Sequence, residues 1–530
     1  MPIQSTQVPV YHPKISVLLK KNVGRDSVAG GDGLGASAPA SGRFKGTDSV
    51  IDLTPFLGEA GSVNVSKGVR EPAGGFNVTL ADRMFMGTNS QMESLYGLIE
   101  PMDVIEIRMA HAPTHPDFVK EYQRLPQKLP IVMRGFVSSV NRTEVISPDG
   151  SPARAIQISG QDYGKLWQIL QIRYFANYVM GQDLLTFLKF AQNYGVNSSN
   201  EFSPNEFMFE VTHMVLNKFI EQMRTTGLFG AGGTLESPIE EVSVFDLTVS
   251  EGVISPFGVN SFSGGALYQM MSFFGDVGPW NELYLEDREE GVTLVYRPNP
   301  FYGAGGEEIQ KQGEVFDTTG HGLTQGLGVR RIALTDDDVV SLSSGRSDAN
   351  TANYFWVNNP SYSLSDMSTL KLQAAGNRPE SYFIQDYRNC DPTLYGIRIM
   401  ELQTNQGYRF DGKRGTELTA KRGTLIDWLD RRRETLVKQN RDNVVFESGR
   451  LVLKGNERIR AGMYIDISRG GMKGSYYATR VDHNFLPFRG YTTTVTYERG
   501  TGFIERAKRE NGRQSPYLNE MNASGVYGDR

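Results

Sequence analysis

The sequence predicts a mainly β protein with α+β parts, and three observations carry that prediction. Apolar and polar residues alternate with period two near both ends of the chain. Helical spacing is confined to the middle. The 530 residues include 58 Gly, 24 Tyr and 28 Phe. That mixture suits strands joined by turns, because aromatics pack on pleated surfaces and Gly supplies positive φ at tight corners.

In the first 165 residues, Ile15, Val17 and Leu19 alternate with Ser16, Leu18 and Lys20. Phe76, Val78 and Leu80 alternate with Asn77 and Thr79, and Ile105, Ile107 and Met109 with Glu106 and Arg108. Such patterns put one face on a core and the other toward water or a neighbour. Runs over 131–145 and 153–160 flank Ser147-Pro148-Asp149-Gly150. There Pro presets φ, Asp bonds back to the backbone and Gly takes the left-handed position, which predicts a long hairpin. Residues 23–46 break the pattern. They are rich in Gly, Ala and Ser, with almost no large apolar side chain, and predict a mobile loop or a segment that orders only against a partner.

From about 162 to 278 the period changes. Ser203 stands as an N-cap, Pro204 at the first helical position and Glu206 at the third. Phe207, Val211, Met214, Val215, Phe219 and Met223 follow at helical spacing, which predicts an amphipathic helix. Shorter helices are predicted at Asp183–Ala191 and Ala266–Phe274, and a Gly-rich loop at Gly227–Gly233. Residues 279–400 read as mixed, with a hairpin of Glu282–Tyr284 and Val292–Tyr296 across Glu289-Glu290-Gly291, and a further strand region within 341–355. A helix is expected at Leu425–Val437. Strands then return around Met463, Ile465 and Ile467 and around Tyr491, Thr493, Val495 and Tyr497. The last 25 residues are polar and predict a tail. Two strand-rich blocks in one chain hint at internal pseudo-symmetry, although no strict repeat is visible.

Length predicts three or four domains at roughly 100–200 residues each. Hydrophobic residues at 39% can fill real cores. A net charge of −5 and a pI near 5.9 argue against a dedicated nucleic-acid binder, which carries a basic surplus. The single cysteine, Cys390, rules out an intrachain disulfide and a Cys-based metal cluster within one chain, and fits a reducing cytoplasm. Residues Met1 to Lys14 are polar with three prolines, so no signal peptide is expected there. No apolar run approaches the ~20 residues that cross a bilayer, so a soluble protein is expected.

Several runs together resemble one family. They are Pro279-Trp280-Asn281-Glu282-Leu283-Tyr284 with Leu294-Val295-Tyr296-Arg297-Pro298-Asn299-Pro300-Phe301, and Ser344-Gly345-Arg346-Ser347-Asp348 with Asn353-Tyr354-Phe355-Trp356-Val357. The end matches best: Leu453-Lys454-Gly455-Asn456, Arg460-Ala461-Gly462, Tyr477 to His483, Tyr491-Thr492-Thr493 and Arg499-Gly500. In this order, across residues 12 to 505, they resemble the phage tail baseplate hub family. That family includes the late-control protein of P2-like phages, the Mu-like tail hub, the T-even baseplate hub and the hub part of type VI secretion spikes. The resemblance implies two tube-like β-barrels per chain, with a helical insert and a mixed segment between them. It implies a homotrimer whose six barrels match a six-fold tail tube above and a three-fold spike below, usually in a contractile tail. It brings no catalytic, cofactor-binding or metal residues. The Gly-rich 23–46 loop and the large helical insert depart from the pattern.

Chemical candidates carry little beside this. His111 and His115 have the spacing of helical zinc ligands, but Pro113 and Pro116 break the helix that would align them, leaving a loop with two exposed histidines. Asp336-Asp337-Asp338 after Thr335 reads as a capped acidic first turn rather than a cation site. Gly31-Asp32-Gly33-Leu34-Gly35 lacks the Lys-Ser or Lys-Thr pair and the strand–helix context of a phosphate loop. Glu282, Glu286, Asp287, Glu289 and Glu290 could be posed as a glycosidase pair, but on a hairpin such charges are expected to face solvent. Arg431, Arg432 and Arg433, with Lys421 and Arg422, interleave with Asp427, Asp430 and Glu434. They read as an ion-paired helix surface, with a DNA-facing stripe as the sharper alternative. Cys390 reads as a packed thiol.

The organisation expected is an N-terminal barrel over 1–165, a helical insert over 166–278, a mixed segment over 279–400, a helix with a C-terminal barrel over 401–505 and a tail over 506–530. The expected function is a non-enzymatic hub without cofactors or membrane segment. It would line a DNA channel without sequence-specific DNA binding, and contact tube or distal tube, spike, tape-measure and wedge proteins. It would sit in the virion tail after assembly in the host cytoplasm. The alternatives are a baseplate-associated cell-wall hydrolase and a peripheral host-binding tail protein.

Overall fold

The computed structural model describes residues 12–22, 50–86, 92–112, 129–146, 152–172, 203–226, 237–254, 265–316, 328–358, 383–407, 417–469 and 472–509. The chain is mainly β. The loop 23–46, the turn 147–150, the helix 183–191, the loop 227–233 and the tail beyond Arg509 all lie outside the described residues.

The N-terminal strands are β1 (Lys14–Lys20), β2 (Val50–Asp52), β3 (Ser62–Gly68), β4 (Gly75–Ala81), β5 (Val104–Ala110), β6 (Ile131–Ile146) and β7 (Pro152–Asp162), followed by the short helix α1 (Gly164–Ile169). Alternation works as predicted: Val17, Leu19, Val63, Val65, Val78, Ile105 and Ile107 fill one core with Ile156 and Ile158. The strands lie in the order β3-β4-β7-β6-β5-β1, with β2 added outside β1. The predicted long hairpin is β6–β7, interrupted by a bulge at Ser138, where the register slips between Val137 and Ser139.

The middle begins with α2 (Pro204–Val211), which runs through a π turn (Thr212–Leu216) into α3 (Asn217–Thr226). Ser203 caps it, its hydroxyl accepting from the Glu206 N–H at 3.1 Å, as the sequence predicts. The π turn was not predicted. At its end, the Asn217 side chain both accepts from and donates to the Val242 backbone. Then come β8 (Val242–Leu247), α4 (Leu267–Phe274) and the hairpin β9 (Asn281–Arg288) and β10 (Gly291–Pro298), with β8 parallel to β10.

The remaining elements are β11 (Arg331–Thr335), β12 (Val339–Gly345), β13 (Tyr354–Asn358), β14 (Ile399–Gln403), α5 (Glu417–Asn440), β15 (Glu447–Lys454), β16 (Tyr464–Arg469), β17 (Met472–Leu486), β18 (Gly490–Gly500) and α6 (Gly502–Arg509). Thus α6 reaches four residues into the stretch expected as tail. Two strands from the expected mixed segment, β11 and β12, join the C-terminal sheet, whose order is β12-β15-β18-β17-β16-β11.

This order repeats that of the N-terminal half strand for strand. Numbering six strands along each half, leaving out β2, both read 2-3-6-5-4-1. The second half also ends in a long hairpin, β17–β18, with its bulge at Thr479, as far from the start of β17 as Ser138 is from the start of β6. Each hairpin leads into a helix that starts on glycine, Gly164 or Gly502. One pairing differs: β1 runs antiparallel to β5, whereas β11 runs parallel to β16. The strand pairs do not by themselves close the two expected tube-like barrels. β17 pairs with β3, so among the described residues the halves form one connected 13-stranded sheet. No pair closing either half occurs among the described residues.

The β9–β10 hairpin packs on both halves at equivalent places. Leu283, Leu285 and Leu294 share a core with Val104, Phe136 and Tyr163 of the first half. Tyr284 and Val295 share another with Tyr464 and Tyr477 of the second.

Candidate functional site

The joint between the halves is where buried polar chemistry collects. The second part of β17 pairs antiparallel with β3, from Arg480 opposite Gly68 to Phe485 opposite Val63. His483, opposite Val65, is 4% exposed. Its Nε2–H donates to the Ile459 carbonyl at 3.2 Å, and its Nδ1 accepts from the Tyr491 hydroxyl at 2.7 Å. Both nitrogens are satisfied by the neutral ring, with the Thr493 hydroxyl a further 3.2 Å neighbour of Nδ1. Burial, with Arg460 adding repulsion, holds the pKa down to about 3.

The unfolded chain therefore takes up a proton near pH 6.5 that the native protein refuses. Stability from this group is full above that pH and falls as the solution is acidified through it. Between pH 6.5 and about 5 the expected loss is about 2 kcal/mol. His111, also shifted down by burial, adds in the same direction. Unfolding measured at pH 7 and pH 5 checks this, with His483→Gln expected to flatten the slope. A slope unchanged in that variant would place the proton elsewhere.

Beside the joint, a cleft is lined by Lys67, Asp162, Tyr284, Glu286, Arg460 and His483. Lys67 on β3 lies 3.1 Å from Asp162 at the end of β7 and also bonds Asp287 on β9. Burial disfavours the ammonium, yet Asp287 and Asp162 outweigh it and raise its pKa. The carboxylates of the β9–β10 hairpin were expected to face solvent, and most do not. Glu282, Glu286 and Asp287 are 5%, 4% and 2% exposed, because β9 is covered on both faces. Glu282 pairs with Arg297 at 3.1 Å, and Glu289 with Arg108 at 2.9 Å. Glu286 pairs with Arg288 and Arg330. Burial opposes its charge, but Arg330 and Arg288 prevail and hold its pKa at about 2. A carboxylate held ionised in this way cannot serve as the protonated acid of a glycosidase near neutrality. Only Glu290, at the turn, is exposed.

The other candidates resolve into structure. Arg432 and Arg433 are buried, not on an ion-paired surface; Arg431 is exposed, and the side chains of Lys421 and Arg422 lie outside the described residues. His111 is half-buried against the second half, its N–H donating to Glu457, rather than exposed in a loop. His115 and Gly31–Gly35 lie outside the described residues. Asp336–Asp338 form one 3-10 turn in which Asp338 accepts from the Thr335 N–H at 3.1 Å. No cluster of metal-ligating side chains occurs among the described residues. Cys390 is buried, and burial raises its thiol pKa. No helix among the described residues is long and apolar enough to cross a membrane.

Two strand edges complete the site. Residues 139–146 of β6 extend past the end of β5 and, on that side, pair with no strand among the described residues. Among the described residues, β12 pairs with β15 alone. Both edges carry exposed apolar side chains: Val145 and Ile146 on β6 and Val340 on β12. Sequence reasoning expects exposed β edges satisfied by neighbours in an assembly but missed which strands carry them, because pairing is not revealed by alternation alone. His483 and Lys67 were also missed. Each occupies one position of a strand that otherwise reads as ordinary alternation.

The class these features define is a mainly β scaffold of two like halves, with its buried charges committed to structure and, among the described residues, two unpaired strand edges. Solved structures to which the chain is similar include the 43 kDa tail protein of prophage MuSo2 from Shewanella oneidensis, at 10% identity over 92% of this chain and 98% of that one, TM-score 0.41. A tail protein from Neisseria meningitidis MC58 matches at 10% identity over 92% and 97%, TM-score 0.40. An Escherichia coli component of the type VI secretion system, described as structurally similar to T4 bacteriophage tail proteins, matches at 6% identity over 83% and 75%, TM-score 0.31. No protein-family model matches the chain, and no curated protein does.

Proposed function

We propose that the chain is the structural hub of a phage tail baseplate. As a homotrimer it joins a six-fold tail tube to a three-fold spike and lines the channel through which DNA passes. The observation that carries this reading is the shared 2-3-6-5-4-1 strand order of the two halves. A ring of three chains then offers six like units to a six-fold partner, while the unrepeated middle keeps the ring three-fold toward the spike. The sequence runs that resemble baseplate hubs point the same way.

On this reading the N-terminal unit spans 1–165. The C-terminal unit draws on 331–345 as well as 401–505, and the helical insert and mixed segment stand between them. The chain works through surfaces and carries out no catalysis. Its partners are a tube or distal tube protein and a spike, with tape-measure and wedge proteins nearby in a contractile tail. It resides in the virion after assembly in the host cytoplasm.

Light scattering on the purified protein, alone at high concentration and with its spike protein, should give a trimer of about 177 kDa, three times the 59.0 kDa of one chain. A chain that stays monomeric even with spike and tube proteins overturns the reading. Muramidase and peptidase assays should show no activity, and reproducible cleavage of cell wall would favour the hydrolase instead.

A further inference from the structure

From the joint inside the chain we infer a second joint between chains: the outer part of β6 receives β12 of a second copy, antiparallel and in a defined register. Within the chain, β17 runs past its partner β16, and the free side of its extension is filled by β3. The strand equivalent to β17 is β6, which runs past β5 in the same way, and the strand equivalent to β3 is β12. In a single chain the extension of β6 is unfilled, and the outer edge of β12 is uncovered, among the described residues. Each chain thus carries both parts of a contact that it already makes once internally. The two parts lie on different surfaces, so the contact is head-to-tail and builds a ring or a filament.

The ladders fix the register. Aligning the bulges at Ser138 and Thr479 makes Arg142 equivalent to His483 and Gly160 to Tyr497. Gly160 faces Phe76, and Tyr497 faces Gly449. Phe76 in turn faces Val65, and Gly449 faces Ser344, so Val65 and Ser344 are equivalent. Because Val65 faces His483 inside the chain, Arg142 should face Ser344 of the next copy. Asn141 then faces Gly345, Thr143 faces Ser343 and Glu144 faces Leu342. Just beyond that ladder, where β12 bulges at Val340, lie Ile146 and Val340, which are 76% and 62% exposed. Apolar side chains on two unpaired edges favour association, and here they would be brought together. The number of copies rests on the hub reading; the seam itself rests on the repeated strand order.

The test is a full-length Thr143→Cys/Ser343→Cys double variant, oxidised under assembling conditions and run on a non-reducing gel. Directly opposed residues of antiparallel strands lie within disulfide reach, and the buried Cys390 does not compete. Most chains should cross-link, at least tenfold more than in either single variant or in Thr143→Cys/Leu342→Cys, which is out of register. Cross-linked trimers support the seam and the hub reading together. Cross-linked ladders beyond three chains support the seam and overturn the trimer. A trimer by mass that does not cross-link overturns the seam and leaves the hub reading standing. Absence of both assembly and cross-linking, even with the spike protein, also overturns the seam. A second pair guards against chemical accidents. Ile146→Glu/Val340→Glu, at two exposed positions, should fold normally and weaken assembly at least tenfold, whereas Ile146→Lys/Val340→Glu should restore it. Unchanged assembly in the double Glu variant counts against the seam.

Discussion

Lys67→Met is expected to destabilise the protein by about 3–5 kcal/mol, read as a lowered urea midpoint at pH 7. Lys67 stands between Asp162, which ends β7, and Asp287, on β9. The two carboxylate side chains are 4% and 1% exposed. Removing the ammonium leaves two buried carboxylates side by side without a cation, and their desolvation is then uncompensated. The lysine side chain keeps 15% exposure, which places the effect toward the lower part of that range. Adding Asp162→Asn and Asp287→Asn to Lys67→Met should recover most of the loss, since no buried charge then remains unpaired. A triple variant as unstable as the single one would assign the effect to lost packing of the lysine stem. Because the cluster ties the β9–β10 hairpin to the first half, the lowest-denaturant transition should be the one that moves.

The same hairpin is fastened to the second half by a different set of charges. Arg297 on β10 bonds Glu282 at 3.1 Å and the Tyr477 hydroxyl at 3.4 Å, and it also donates to the Gly462 carbonyl. Tyr477 in turn donates to Glu282. One hairpin thus bonds through buried charged groups to both halves of a sheet whose strand order repeats.

Much of the sheet was legible in the sequence, because period-two alternation reports which side chains of a strand face the core. Val17, Leu19, Phe76, Val78, Ile105, Ile107 and Tyr491 are all buried where alternation put them. The β9–β10 hairpin was legible in position but not in environment. Glu282, Tyr284 and Glu286 share one face and Leu283 and Leu285 the other, which reads as a wet face and a dry one. In the folded chain the polar face meets Arg297, Arg330 and Tyr477 instead of water. Nothing local distinguishes a solvated glutamate from one whose partner the fold brings in from another strand or loop. The likeness of the two halves was legible only as two strand-rich blocks. Strand order is set by long-range pairing, and the insertion of β13, β14 and α5 between β12 and β15 separates strands that their counterparts β3 and β4 keep adjacent.

Arg432 is where spacing held the answer and residue type hid it. Trp428, Arg432 and Leu436 follow one another at four-residue steps on α5, as do Leu429, Arg433 and Val437, and all six are buried. Two arginines therefore sit in the apolar stripe of the helix. The Arg432 guanidinium lies 3.3 Å from Asp276 and 2.8 Å from the Gln406 side chain, with its carbon 5.1 Å and 4.3 Å from the rings of Trp280 and Trp428. Asp276, whose side chain is fully buried, has further bonds to the Asn405 N–H and the Thr404 hydroxyl, but no other cation pairs with it among the described residues. Arg432→Met should therefore cost about 3–5 kcal/mol by stranding that carboxylate. Arg432→Lys should fall between the wild type and Arg432→Met, because an ammonium keeps the charge but cannot reproduce the planar fork between carboxylate, amide and two indoles. Thermal unfolding of the three proteins should give that order, with Trp fluorescence from Trp280 and Trp428 reporting the same transition. DNA retention should be unchanged in both variants. If Arg432→Met instead melted like the wild type but bound DNA more weakly and with a shallower salt dependence, the arginine would belong to a DNA-facing stripe after all.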